Sequence, residues 1–314
     1  MPELPRILLY HYTSSPIAQR VVQYLSLTKT PFTSVRVSPT IPRPELLSLG
    51  ITYRQVPVLV IGRNVYCDSS LIIDVLEDLS SGKLNQNDGV EKIIESWVMS
   101  RVFTVVPRLI PPDAKFLQDA SFVKDREEWT NRSWKPQDLA KARQRNLESI
   151  GYVLNLLEHE LLPRSKWLGG DKIAISDIHV AFALRWAVQL GMFGETYSKQ
   201  THPRVWEWIA AYSTAVKESS EVGRLTGDAA KDVIFASPLP SKPSFTPDTS
   251  QLEDGAFVEV FPHGWNHTVN PQRGTLIGLD WKQATLLVGE GDRKTHVHFP
   301  RERYSIRKVN TSRL

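Results

Sequence analysis

The chain has 314 residues, more than one hydrophobic core usually serves, so two or three domains are expected. Its 41% hydrophobic and 23% charged residues are ordinary for a soluble globular protein. The net charge of +4 is no nucleic-acid signature by itself, and its location says more: residues 255–314 hold nine Lys/Arg and five Asp/Glu, which leaves residues 1–254 neutral.

The opening "MPELPRILLYHY" has no basic region and only a short apolar run, which is not the pattern of a signal peptide. No stretch approaches the roughly 18 apolar residues of a membrane span. The single cysteine, Cys67, cannot form an internal disulfide, and without an export signal the expected compartment is the cytosol. The triplets "NRS", "NHT" and "NTS" match the glycosylation pattern but mean nothing without secretion.

Residues 1–84 alternate strand and helix patterns. "RILLYHY" is an apolar run of strand length, and "IAQRVVQYLSL" places Ile17, Val21, Val22 and Leu25 at helical spacing. "PFTSVRV" alternates as a second strand. After an irregular stretch, "VPVLVIG" and "VYC" read as a hairpin across "GRN". "DSSLIIDVLEDL" opens with good N-caps and carries Leu71, Val75 and Leu79 on one face.

The polar "SSGKLNQNDG" reads as a linker. Residues 91–234 then read as an all-helical domain, with long helical patterns in "EKIIESWVMSRVFTVV", "LAKARQRNLESIGYVLNLLEHELL", "SDIHVAFALRWAVQLG" and "HPRVWEWIAAYSTAV". Residues 235–250 form a Pro-rich linker or strap. In residues 251–314 the period changes to two: "AFVEVF", "GTLIGLDW", "ATLLVGEG", "KTHVHF" and "YSIRKV" predict a small all-β, barrel-like or sandwich domain. A domain of that size is marginal alone, so it is expected to dock on the rest of the chain, burying Phe257, Trp265, Trp281 or Phe299, with the strap across the helical domain.

Three short segments could carry chemistry. In "SSP", Ser15 caps a helix whose N1 residue is Pro16, and capping alone explains the motif. The same place also gathers free N–H groups and the positive end of the helix dipole, so an anion there is stabilised. A serine hydroxyl there can donate to a thiolate brought by a ligand, and lowering a thiol pKa by one unit takes about 1.4 kcal/mol. In "QVPVLV" a proline enters a strand without a donor. Either the strand is an edge with a trans proline, or the bond is cis and the preceding backbone is free to pair with an extended ligand. In "CDSS", Asp68 and Ser69 cap a helix, or hold the charged amine and carboxylate of an α-amino acid end.

Other residues favour structural roles. Cys67 reads as a small packed residue, and no C-x-x-C exists for dithiol chemistry. His263, His267, His296 and His298 lack a carboxylate or cysteine to complete a tetrahedral set, so no metal is expected.

In this order and spacing the three segments resemble a glutathione transferase-type protein. "SPIAQRV" is similar to the "CPFAERT" of omega-like and the "SPF" of tau-like members, "VPVL" to the family's cis-proline segment, and Asp-Ser to its Glu/Gln-Ser pair. "LGGDKIAISDIHVA" resembles the buried helix motif G-D-x-x-T-x-A-D-I, and the match spans residues 1 to about 230. The resemblance implies a thioredoxin-like domain followed by an all-helical one, and glutathione as co-substrate. By position, Ser15 or its rival Ser14 would face the glutathione sulfur. Val56 beside Pro57 would pair with the cysteinyl part, and Asp68 and Ser69 would hold the γ-glutamyl end. His11, Tyr12, Trp97, Arg101 and Arg108 are candidates for the second-substrate pocket, although core packing suits most of them better.

Departures are visible. The acid of the pair is the shorter Asp, the usual "NP" is absent, and Ala174 stands where a helix-capping hydroxyl is expected, so Ser176 would have to serve Asp177. With its β-rich extension the chain is similar to fungal transferase-like proteins, some encoded beside natural-product pathways. The resemblance thus implies thiolate addition to, or isomerisation of, a small hydrophobic electrophile, in a cytosolic homodimer with no membrane or nucleic-acid partner. The competing readings are a non-catalytic binding or carrier protein, and an interaction module built on the basic tail.

Overall fold

The computed structural model describes residues 5–80, 84, 88–264 and 270–309. The first unit runs β1 (Ile7–His11), α1 (Pro16–Leu27), β2 (Phe32–Arg36), α2 (Pro44–Leu47), β3 (Val58–Ile61), β4 (Asn64–Cys67) and α3 (Ser69–Ser80). All five residues of β1 are buried, as a central strand covered on both faces requires. Alternation divides them: Ile7 and Leu9 pack with α1, α3 and the helical region, while Leu8 and Tyr10 face α2 and the β-rich region. Helix α1 buries Ala18, Val21, Tyr24 and Leu25, one stripe at helical spacing.

The helical region contains α4 (Asp88–Trp97), α5 (Ala120–Thr130), α6 (Pro136–Leu156), α7 (Ile175–Gln189) and α8 (Pro203–Ala215). Helix α7 is buried on most sides. The capping role expected of Ser176 does not arise. The Asp177 carboxylate instead accepts from Ala174 N, Leu168 N, Gly169 N and Trp208 Nε1 at 2.9–3.4 Å.

Residues 91–234 are not all helical. Strand β5 (Glu221–Leu225) leaves the helices and pairs in parallel with β2, and α9 (Gly227–Ala236) follows it onto the face carrying Leu8 and Tyr10. Gly227 is required there, because a Cβ would lie 2.8 Å from Glu45 Cγ. The chain therefore returns to the first domain before the Pro-rich stretch begins.

The last strands are β6 (Phe257–Pro262), β7 (Gln272–Leu279), β8 (Gln283–Val288), β9 (Thr295–Pro300) and β10 (Tyr304–Lys308). They do not close on themselves. Strand β9 pairs in parallel with β4, so among the described residues all the strands join one ten-stranded sheet, ordered β10-β6-β7-β8-β9-β4-β3-β1-β2-β5. Docking is thus on the first domain, not on the helical region where the strap was expected. The strap itself follows the β-rich region, with Thr246 N donating to Leu279 O and Leu279 N to Ser244 O.

The junction is built like an interior. Val258, Leu286, Val297 and Phe299 join Val58, Val60 and Val65 in one apolar cluster. His298 stacks on Tyr66 with ring centroids 4.6 Å apart, and its Nε2 donates to Asn64 Oδ1 at 2.9 Å. Gln272 Oε1 accepts from Thr52 N and Tyr53 N, and its Nε2 donates to Gly50 O. Phe299 is fully buried as expected, whereas Trp281 in the β7–β8 turn is 82% exposed and contributes nothing to docking. Trp265 and His267 lie outside the described residues.

Candidate functional site

Strand register decides what meets at one end of the sheet. Tyr10 pairs with Val58, and Val58 with Cys67. The β1–α1 loop with Tyr12 to Ser15, the Val56–Pro57 entry to β3, and Asp68–Ser69 at the start of α3 therefore lie along one edge. The Val56–Pro57 bond is cis, as is Ile41–Pro42. Val56 lies outside the β3 ladder and is buried.

Each serine has a distinct setting. Ser15 is 3% exposed, and its Oγ accepts from Ala18 N at 3.2 Å, so it is the N-cap of α1. That bond uses a lone pair and leaves the hydroxyl proton available. Ser14 is exposed. Asp68 has φ +76°, a left-handed backbone uncommon outside glycine. Its Oδ1 accepts from Ser70 N at 2.8 Å. Ser69 is buried, and its Oγ accepts from Arg20 Nη1 at 3.0 Å.

Arg20 is a site residue that the sequence reading passed over. Its side chain is wholly buried and binds Glu95, while His179 Nδ1 accepts from it at 2.6 Å. Lys92 joins Glu95 at 3.0 Å and Asp74 at 2.6 Å. Burial pushes the Glu95 carboxyl up, but Arg20 and Lys92 hold it well below the usual range. Burial and then Arg20 hold His179 neutral, well below the ordinary histidine value. This node ties α1, α3, α4 and α7 together beneath Ser69. Its trace in the sequence is an arginine on the apolar stripe of α1 and a glutamate on that of α4.

The β-rich region also reaches this edge, because β9 runs parallel to β4 and ends where β4 ends. The Tyr304 hydroxyl donates to Asp68 Oδ2 at 3.0 Å, and Arg303 Nη2 stands 3.5 Å from Asp68 Oδ1. Tyr53 and Tyr304 share a hydroxyl contact of 2.6 Å.

Beside Tyr12 the loop after β2 meets α5. Arg126 donates to the Tyr12 hydroxyl at 3.3 Å and to Pro39 O at 2.7 Å. Asp125 takes Arg54 at 2.8 Å and Arg126 at 2.6 Å, and Arg43 binds Arg54 O and lies over the Tyr12 ring. Two buried guanidiniums, Arg54 and Arg126, thus pair with one buried carboxylate, while the buried Arg43 is held by backbone carbonyls beside them. Burial, followed by the nearby Arg126 and Arg54 charges, lowers Arg43 to about 10.

The other pocket candidates go elsewhere. His11 is 2% exposed, bonded to Ser34 Oγ at 3.0 Å, and lowered to about 4 by burial and then by Arg36, so it is a neutral core histidine. No described hydrogen bond, ion pair or ring contact joins Trp97, Arg101 or Arg108 to Tyr12, Ser15, Pro57 or Asp68. Trp97 packs against the helical core, Arg101 is exposed, and Arg108 feels Arg132 and Arg145. Cys67 is wholly buried with its thiol pushed well up by burial, then by Asp68, so it is no nucleophile. Among the described residues no three His, Cys, Asp or Glu gather to hold a metal, and no helix is long and apolar enough to cross a membrane.

Comparison with known proteins bears on the fold. Residues 9–84 match a family model described as the glutathione S-transferase N-terminal domain, and residues 105–221 one described as a domain of unknown function, DUF7962. No curated protein matches the chain. A GST-like protein from Pseudomonas syringae is 21% identical with a TM-score of 0.75, over 97% of this chain and all of that one. A Tau class glutathione S-transferase from mango is 15% identical with a TM-score of 0.50, over 73% of this chain and 92% of that one. A glutathione transferase from Burkholderia graminis, solved with two glutathione molecules per subunit, is 20% identical with a TM-score of 0.51, over 69% of this chain and 88% of that one. The chain thus has a glutathione transferase-like fold: a thioredoxin-like N-terminal domain, a helical region and a β-rich region. Its particular form, with the β-rich region included, is the one that the Pseudomonas syringae structure shares along its whole length.

Proposed function

We propose that the protein is a glutathione-dependent transferase, adding the thiolate to, or isomerising, a small hydrophobic electrophile. The observation that carries this is the register that gathers Ser14–Ser15, Val56–Pro57 and Asp68–Ser69 at one sheet edge. The N-terminal family match and the glutathione found in the Burkholderia graminis structure support it. In this reading Asp68 takes the γ-glutamyl ammonium, Ser69 takes its carboxylate, and the Val56 backbone pairs with the cysteinyl unit. The α1 N-terminus and a hydroxyl, from Ser15 or Ser14, stabilise the thiolate, each pKa unit of lowering taking about 1.4 kcal/mol. Tyr12 and the buried arginines beside it line the way to the second substrate. The resemblance further carries a cytosolic homodimer, a fungal-type relative and a secondary metabolite as electrophile.

Calorimetry with glutathione tests the reading. Asp68→Ala should weaken binding by about 1.5–3 kcal/mol, the range for a hydrogen bond to a charged group. Unchanged affinity in a folded variant ends the assignment. A second reading, a non-catalytic carrier of the same ligand, draws on one observation: Asp68, Ser69 and Ser15 already have partners inside the protein. Saturable binding without thiol consumption across a panel of electrophiles would select it.

A further inference from the structure

Arg303 stands in the turn between β9 and β10, at φ +65°, a conformation that a non-glycine residue adopts only when its surroundings impose it. The surroundings are specific. Arg303 O accepts from His263 N at 2.7 Å, which pins the turn to the β6–β7 loop. The next residue, Tyr304, is 5% exposed and donates to Asp68 Oδ2. The guanidinium itself is poorly served. Its contact with Asp68 Oδ1, 3.5 Å, is long beside the roughly 2.7–2.9 Å of a charge-assisted hydrogen bond. Its Nε is buried and has no partner. A turn built only to seal the edge would satisfy its own donors, since an unmet buried donor costs more than a made bond returns.

The pair also has the charge pattern of one ligand class. An α-amino acid head carries an ammonium and a carboxylate on one carbon, and Asp68 and Arg303 offer the opposite charges side by side. Asp68 is held in place from its other oxygen by Tyr304, itself backed by Tyr53. Of the two, it is Arg303 that keeps an unmet donor, its Nε.

We propose that the β-rich region completes the glutathione site, with Arg303 binding the α-carboxylate of the γ-glutamyl residue while Asp68 takes its ammonium. The inference rests on the reading of this edge as a glutathione site and adds a residue from the far end of the chain to that reading's own acid. It assigns the extension a part in ligand recognition beyond packing.

The test is calorimetry on the full-length protein with two ligands: glutathione, and 4-aminobutyryl-cysteinylglycine, which lacks only that carboxylate. Wild type should prefer glutathione. Arg303→Gln should weaken glutathione binding roughly tenfold or more while leaving the analogue within about twofold, so that the preference disappears. Arg303→Lys, which keeps the charge, should restore part of it and serves if the first variant folds poorly. Equal losses for both ligands, no loss for either, or tighter glutathione binding by Arg303→Gln would overturn the assignment, the last showing a plug in place of a clamp. Glutathione binding absent from wild type and both variants, with intact melting curves, would remove the glutathione reading itself and this inference with it.

Discussion

Acid should loosen the β-rich region from the first domain through one histidine. His298 is 6% exposed and sits in the parallel β4–β9 junction. Its Nε2 donates to Asn64, and its Nδ1 lies 3.0 Å from the Thr285 hydroxyl, which donates to it in the neutral tautomer. A second proton would sit on Nδ1, turn the Thr285 hydroxyl away and place a charge in the apolar cluster. Burial, then the neighbouring His296, lowers its pKa to about 3, against 6.5 in the unfolded chain. A depressed histidine contributes stability that is present above pH 6.5 and lost as pH falls towards 3. Between pH 7.5 and 5.0 that loss comes to about 2 kcal/mol, from the two titration curves at 1.36 kcal/mol per unit. Glu91, pushed up to about 7 by burial and then by Asp177, works in the opposite direction over the same window. The informative quantity is therefore a difference. Urea unfolding of wild type and His298→Gln at both pH values should show wild type losing about 2 kcal/mol more than the variant. Amide exchange in β4 and β9 should rise with it. Identical pH dependence in the two proteins would refute the assignment of His298 as a buried neutral junction residue.

Three further outcomes follow from single side chains. Ser15→Ala should cost about 1 kcal/mol of stability as a lost N-cap, and Ser14→Ala almost nothing, by thermal melting; whichever variant also raises the pKa of bound glutathione marks the thiolate donor. Glu95→Gln leaves the fully buried Arg20 without its carboxylate and should destabilise the fold by about 3–5 kcal/mol, measured by chemical denaturation; a loss below about 1 kcal/mol would mean that Arg20 is sustained by His179 and Ser69. Gln272→Ala strips the partners of Thr52 N, Tyr53 N and Gly50 O, and should cost about 1–3 kcal/mol and make the Thr52 and Tyr53 amides susceptible to exchange.

How much of this was legible in sequence depends on whether a signal was local. The βαβ and ββα order, the α1 cap and the long helices follow from period, caps and prolines within a dozen residues. Strand β5 was not legible, because "EVGRL" is short and lies between two helices, and only its pairing with β2 makes it a strand. The single sheet was not legible either. "THVHFP" alternates as any strand does, and its pattern does not say that the partner is β4 of another domain. Burial of all six of its residues is the physical mark of that placement, and it belongs to the fold. The site divides in the same way. Ser15, Pro57, Asp68 and Ser69 announce themselves by local motif. Arg20 is recognisable only as a charge on an apolar stripe, while Arg303, Tyr304 and Arg126 arrive through tertiary contact.

The most direct test of the central claim is a crystal structure of the full-length protein soaked with glutathione. The γ-glutamyl head should lie between Asp68 and Arg303, the cysteinyl unit should pair with the Val56 backbone, and the sulfur should face Ser14 or Ser15 at the start of α1. Glutathione seated elsewhere, or an unchanged edge in a crystal grown at saturating ligand, would contradict it.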